Sequence, residues 1–314
     1  MGVILGRGRY RYEEVLDWAK LPPGWNLHEV ADVVATPRDR IYVFNRGEHP
    51  VIVFDPEGTV VSTWGEGVFT RPHTMTHGPD GSFYCIDSGA HCVYVFSPEG
   101  EHVMTIGTPG QPAPRLSGLP FNQPTDLAVD PESGVLYVTD GYGNGRVHVF
   151  SAGGALLDSW GACGVEAGQF NIPHNVAVGP DGHLYIVDRE NHRVQVFTRQ
   201  GQYLRQWGNI HRPTGCHLVG ETVYIGQLFS YMNNHDFPNV GGCISIHDLD
   251  GTQLARLGDD HYGEGPGQFT APHGIAVDSR GDIYVGELSY SGYTQQMFEQ
   301  PYETRCLRKL IKQD

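Results

Sequence analysis

Short runs of apolar and β-branched residues, often alternating with polar ones, recur along the whole chain and predict β-strands joined by tight turns. The runs come in groups of four. FTRPHTMTHGPDGSFYCIDSGAHCVYVFSPEGEHVMTIG (69–107) matches FNIPHNVAVGPDGHLYIVDRENHRVQVFTRQGQYLRQWG (170–208). FNQPTDLAVDPESGVLYVTDGYGNGRVHVFSAGGALLDSWG (121–161) lies between them, and VADVVATPRDRIYVFNRGEHPVIVFDPEGTVVSTWG (30–65) precedes. RPTGCHLVGETVYIGQLF (212–229) with GGCISIHDLDGTQLARLG (241–258) follows, then FTAPHGIAVDSRGDIYVGELSY (269–290) with ETRCLRKLI (303–311). Within a group the first two runs, A and B, meet at a PDG-type turn, and the last two, C and D, at PEG, AGG or RQG.

A repeat of this length with four strands is a propeller blade, so the expected fold is all-β, a six-bladed β-propeller. It is expected as one domain over 1–314, with blades at about 27–67, 69–110, 121–164, 170–209, 210–260 and 269–314. The sixth group stops after its C run, at KLIKQD, while YRYEEVLDWAK near the N-terminus reads like a D run. Residues 9–20 are therefore expected to supply the outer strand of blade six and leave no open edge.

Composition narrows the function. Apolar residues at 39% and aromatics at 11% suffice for a core, and 42 glycines and 21 prolines punctuate the strands. A net charge of −15 disfavours nucleic acid and anionic membranes as main partners, so a bound anion must be held by local cations. The N-terminus lacks a secretion signal's apolar stretch, no run of about 18 apolar residues suggests a span, and the six cysteines lack CxxC spacing. A cytoplasmic protein with reduced thiols is expected, a monomer or small homo-oligomer acting on a small anionic substrate.

In an antiparallel blade the start of A and the end of B share a face. That face collects the Pro-His pairs, the B-run ends and the insertions 107–120, 228–242 and 289–304. The residue after proline at the start of A is His73, Thr125, His174, Thr214 and His273 in blades two to six. Histidines on alternate blades would converge as neutral imidazoles suited to Zn2+ or another divalent metal, with a coordination position left open. A single such histidine would more simply be satisfied by backbone; three related by blade alternation favour the metal. The B ends add Arg46, Tyr142 and Arg189. The two guanidiniums suit a carboxylate clamp and the phenol suits a general base, or else each arginine pairs with a nearby carboxylate such as Asp188 or Glu48 and Tyr142 is a rim aromatic. Glu287 is read at the blade-six position that holds Arg46 and Arg189 in blades one and four, as an arginine partner or a further acid/base.

The motifs RPH, IPH and APH, FNRG, QPTDLAVDPESGVLYVTDGYGNGR and VDREN resemble those of NHL-repeat propellers, and more narrowly of the peptidyl-α-hydroxyglycine α-amidating lyase family, over roughly residues 27–290. The resemblance implies zinc on His73, His174 and His273, a base at Tyr142, and arginines Arg46 and Arg189 on a substrate carboxylate. It implies cleavage of an N-acyl-α-hydroxyglycine or related α-hydroxy substrate to an amide and an oxo acid. The family's structural Ca2+ is not supported: Gly274 stands where the family has an Asp after its third zinc histidine. Ala271 replaces a family methionine, and Gly143 a family cysteine. Two other readings are a metal-dependent hydrolase of a lactone or amide at the same site, and a non-enzymatic scaffold binding protein through rim aromatics Phe229, Tyr231, Phe237, Tyr290 and Tyr293.

Overall fold

In the computed structural model, which describes residues 2–229 and 241–314, every repeat forms one antiparallel sheet with its strands in A–B–C–D order. The chain is all-β, a six-bladed β-propeller. Residues group into two compact units, Met1–Glu66 with Ile210–Asp314, and Gly67–Asn209. Each contains three blades.

In the unit Gly67–Asn209, the middle strands Phe83–Asp87 and Cys92–Phe96 of blade two are buried throughout, whereas the outer strand His102–Ile106 is largely exposed. Blade three, from Asp126–Val129 to Leu156–Trp160, shows the same gradient. The cause is packing on both faces. Tyr84, Ile86, Val93 and Val95 of blade two meet Leu127, Leu136, Val138 and Phe150 of blade three. Ala128, Tyr137, Val147 and Val149 in turn meet Val176, Leu184, Ile186 and Phe197 of blade four. Each such aliphatic or phenyl side chain stabilises by about 1.5–3 kcal/mol when fully buried.

The other unit holds blades five, six and one. Blade six runs Pro272–Val277, Ile283–Glu287, Leu307–Lys312 and then the N-terminal strand Tyr10–Val15, which pairs antiparallel with Leu307–Lys312 from Tyr12 opposite Lys312 to Val15 opposite Lys309. The outer strand expected from 9–20 is therefore present. A fifth strand, Ile4–Arg7, lies outside it.

A buried ion triad fixes this closure. Arg308, 1% exposed, donates to Glu14 of the N-terminal strand and to Glu287 of the second strand. Glu14 also accepts from the Gly267 N–H at 2.8 Å. Removing the cation would strand two carboxylates in the interior. Arg308→Met is expected to destabilise this unit by about 3 kcal/mol or more, measured as the loss in urea-unfolding free energy; a loss below about 1 kcal/mol would show that the triad contributes only packing.

Blade five supplies a pH signature. His247 on Cys243–Asp248 is buried, its Nε2 2.8 Å from Ser245 Oγ, and burial holds its pKa below the usual imidazole value. A depressed histidine contributes stability that is complete above pH 6.5 and is lost as pH falls through the folded value. His247→Gln is therefore expected to lose less stability than the native chain between pH 7 and pH 5 in urea titrations; parallel losses would refute this.

Among the described residues no helix is long and apolar enough to cross a membrane. All six cysteines are free thiols.

Candidate metal centre

The inner strands of blades two, four and six begin in one way. Pro72 lies opposite Asp87, Pro173 opposite Asp188 and Pro272 opposite Glu287, and in each pair the register shifts directly afterwards. Proline donates no ladder hydrogen bond, and the extra residue of the bulge is the histidine, whose side chain is re-aimed by it. His73, His174 and His273 are all buried. In blade one the same shift follows Val30 opposite Asn45, placing Ala31 at the histidine position.

This register corrects one assignment. Glu287 aligns with Asp87, Asp188 and Asn45, one residue before Arg189 and Arg46. Its carboxylate accepts from the N–H and Oγ1 of Thr270 at 2.7 and 3.0 Å and from Arg308. Asp87 and Asp188 likewise accept from the N–H groups of Thr70, Arg71 and Asn171, bracing the turn into the inner strand. The residue truly in register with the two arginines is Leu288, which packs with Ala31, Leu228 and Ala271.

Within the unit Gly67–Asn209, His73, Tyr142, His174 and Arg189 come together. The imidazole centroids of His73 and His174 are 5.0 Å apart. His73 donates from Nδ1 to the Thr125 carbonyl at 2.6 Å, because a carbonyl can only accept. His174 Nδ1 lies 3.1 Å from Asn175 Oδ1. The opposite nitrogens face one hydroxyl: Tyr142 OH is 2.9 Å from His73 Nε2 and 3.1 Å from His174 Nε2. Arg189 lies beside the same phenol, Nη1 3.4 Å from its oxygen and the guanidinium carbon 5.4 Å from its ring centroid, while its Nε donates to Glu190 at 2.8 Å.

The backbone around Tyr142 explains its fixity. A Cβ on Gly141 would fall 2.3 Å from the Pro173 carbonyl oxygen, and one on Gly143 2.2 Å from Asn122 Oδ1. Only glycines allow this turn to be pressed between two elements. The insertion 107–120 covers it, with Leu116 N–H donating to the Gly143 carbonyl at 2.9 Å. Thr125, at blade three's histidine position, donates from Oγ1 to the Pro173 carbonyl at 2.8 Å. It thereby holds the residue that precedes His174.

In the other unit Thr214 does the same for Pro272 at 2.7 Å. His273 donates from Nδ1 to the Ala31 carbonyl at 2.6 Å, so it too presents Nε2. Arg46 donates from Nη1 to Glu29 Oε2 at 3.0 Å and to Ser291 Oγ at 3.2 Å. Glu29, 2% exposed, also accepts from the Ser291 N–H and Oγ, so the π-helical turn Tyr290–Thr294 opening the insertion 289–304 is docked on it. The arginine partners are thus Glu29 and Glu190, not Glu48 or Asp188; Asp188 is taken by Arg193 at 2.8 Å. A Cβ at Gly274 would fall 2.3 Å from Asp32 Oδ1 and 2.4 Å from its Cα, which leaves no room for a carboxylate side chain there. Phe229 and Tyr293 are buried against Tyr262 and each other, not presented as rim aromatics. Tyr290 packs on His28. Tyr231 and Phe237 lie outside the described residues.

Three further groups carry no repeat signature: Glu29, Asn175 and Asp126. Asp126 is buried and accepts from Asn175 Nδ2 at 2.8 Å and the Val176 N–H at 3.0 Å. Burial pushes its carboxyl up to about 6, against these donors.

A family model described as NHL repeat matches residues 121–150 and 170–197. Peptidyl-glycine alpha-amidating monooxygenase A of Xenopus laevis is 29% identical over 309 residues, covering 88% of this chain and 32% of that protein. The chain thus spans about a third of the length of that relative. A "probable peptidyl-alpha-hydroxyglycine alpha-amidating lyase" of Caenorhabditis elegans is 31% identical over 252 residues, covering 77% of this chain and 68% of that one. A solved streptogramin B lyase superposes with a TM-score of 0.59 at 13% identity, covering 98% and 97% of the two chains, a likeness of fold.

Proposed function

Because the chain belongs to the peptidyl-α-hydroxyglycine α-amidating lyase family of NHL-repeat propellers, we propose that it is a metal-dependent lyase. The metal would be one divalent ion, zinc by its all-imidazole donor set, on His73, His174 and His273, the buried set able to hold one. The substrate would be a small anionic carbinolamide of the N-acyl-α-hydroxyglycine type, in a cytoplasmic setting consistent with six free thiols.

The observation that carries the reading is the donor set itself, three buried histidines that could hold one ion. His73 spends its Nδ1 proton on a carbonyl and His174 on an amide oxygen, so both turn Nε2 toward Tyr142. A cation on those nitrogens would release the phenol oxygen from donating, and that oxygen could then take up a proton. All three imidazoles share this form, Nδ1–H held by the protein and Nε2 offered, which is how protein scaffolds preset histidine ligands.

When bound, such an ion acts as a Lewis acid toward a substrate oxygen. Tyr142 would take the proton of the α-hydroxyl as the carbon–oxygen double bond forms. The electron pair of the breaking C–N bond stays on nitrogen, which receives that proton, giving an amide and an oxo acid. Arg189, held over the phenol, would orient the substrate carboxylate and stabilise developing charge. Arg46, already engaged by Glu29, would serve the carboxylate only by sharing Nη groups or exchanging partners, so Arg189 is assigned the larger part.

The test is incubation of the zinc-loaded chain with N-acyl-α-hydroxyglycines in ¹⁸O water, with glyoxylate and amide followed by mass spectrometry. Equal release of both, with an early amide product free of ¹⁸O, is expected. Release of the N-acyl group as its own carboxylic acid carrying ¹⁸O, in place of the amide, would replace the lyase reading by hydrolysis, and no turnover of any such compound would overturn it.

A further inference from the structure

We infer that Asp126 is a positioning residue that locks His174 in the Nδ1–H tautomer through the side-chain amide of Asn175. The three histidines differ in one respect. His73 and His273 donate to main-chain carbonyls, each at 2.6 Å. A carbonyl cannot become a donor, so these two tautomers are fixed by the fold. His174 instead faces a side-chain amide, Asn175 Oδ1, at 3.1 Å. An amide is reversible: rotated by half a turn it would present NH₂ to Nδ1 and move the imidazole proton to Nε2.

Asp126 removes that freedom. Its Oδ2 accepts from Asn175 Nδ2 at 2.8 Å and from the Val176 N–H at 3.0 Å. The oxygen that accepts the Val176 N–H is an acceptor toward Asn175 as well, so the amide must turn NH₂ toward it and oxygen toward His174. Asp126 and Asn175 are 5% and 7% exposed, and no solvent rearrangement substitutes for either contact at low cost. The order is Asp126 carboxylate, Asn175 amide, His174 Nδ1–H, His174 Nε2 lone pair. Asp126 comes from blade three and His174 from blade four, so blade three contributes twice to the histidine it faces, through Thr125 at Pro173 and through Asp126 at Asn175.

The consequence for metal binding rests on the proposed role of His174 as a ligand; the tautomer lock does not. In Asp126→Ala the one oxygen that accepts both Asn175 Nδ2 and the Val176 N–H is gone, and the Asn175 amide is free to turn over. Imidazole nitrogen chemical shifts of His174 in the metal-free protein are expected to move from the Nδ1–H toward the Nε2–H pattern, and the Kd for zinc alone to weaken about 10- to 100-fold. The pair Asp126→Ala with Asn175→Asp returns an acceptor-only group to His174 Nδ1 and is expected to restore both readouts.

An unchanged tautomer in Asp126→Ala, or a double variant no closer to the native chain than the single one, would overturn the inference. A tautomer change in a chain that takes up no zinc in any form would uphold the lock and refute the metal reading separately. If Asp126→Ala does not fold, Asn175→Leu carries the test. It removes the Nδ1 acceptor outright, and a native tautomer with native zinc affinity would overturn the proposal.

Discussion

His174→Ala is expected to purify with less than about a tenth of the zinc held by the native chain and to lose turnover by ~10³-fold or more. Each imidazole would supply one of only three protein ligands, and two histidines leave a divalent ion with too few donors to hold against dilution. The variant also removes one of the two imidazole nitrogens that face the Tyr142 hydroxyl, which leaves the phenol to His73 and Arg189. Both effects point the same way. The fold should persist, since the strand Pro173–Val178 keeps its pairing with Leu184–Asp188 and its apolar contacts through Val176. Elemental analysis beside a urea titration separates loss of metal from loss of structure. Stoichiometric zinc retained in a folded His174→Ala protein would end the metal assignment, whatever happened to activity.

Much of the architecture can be read from the chain because each blade repeats the same local solution. The PDG and PEG turns, the apolar B and C runs and the Trp-Gly endings recur, and a D-like run stands at the N-terminus where the last repeat lacks one. The added strand Ile4–Arg7 is not legible in this way, since it has no counterpart in any other repeat. The histidine and threonine alternation is visible for the same reason, a substitution at one fixed place in a periodic frame. Glu287 shows where the frame fails. Judged by its place near the end of a run it looks equivalent to Arg46 and Arg189, but strand pairing opposite Pro272 sets it one residue earlier, against Thr270 and Arg308. The runs IYVFN, LYIVD and IYVGE, set side by side, carry the same one-residue offset, and the pairing makes it explicit. Glu29 and Asp126 were hidden by distance along the chain. Glu29 sits 17 residues from Arg46 and 262 from Ser291, and Asp126 sits 49 from Asn175, separations that only the packing of neighbouring strands makes short.

Tyr142 places its hydroxyl against both Nε2 atoms, and Tyr142→Phe is expected to lower kcat by roughly 10²–10⁴-fold while leaving KM within a few-fold. Phenylalanine keeps the ring beneath the Arg189 guanidinium and fits between Gly141 and Gly143 unchanged, so substrate orientation should survive. What disappears is the one oxygen that both Nε2 atoms face, the only group in this cluster of four able to accept the α-hydroxyl proton without surrendering a ligand lone pair. Zinc should be retained or bound slightly more tightly, because the phenol no longer competes for His73 and His174. This separates the variant from His174→Ala, in which metal and turnover fall together. If Tyr142→Phe kept kcat within about threefold of native with zinc fully bound, the proton would have to leave by another route, and the base would have to be sought outside the pair of imidazoles and the arginine that now surround the phenol.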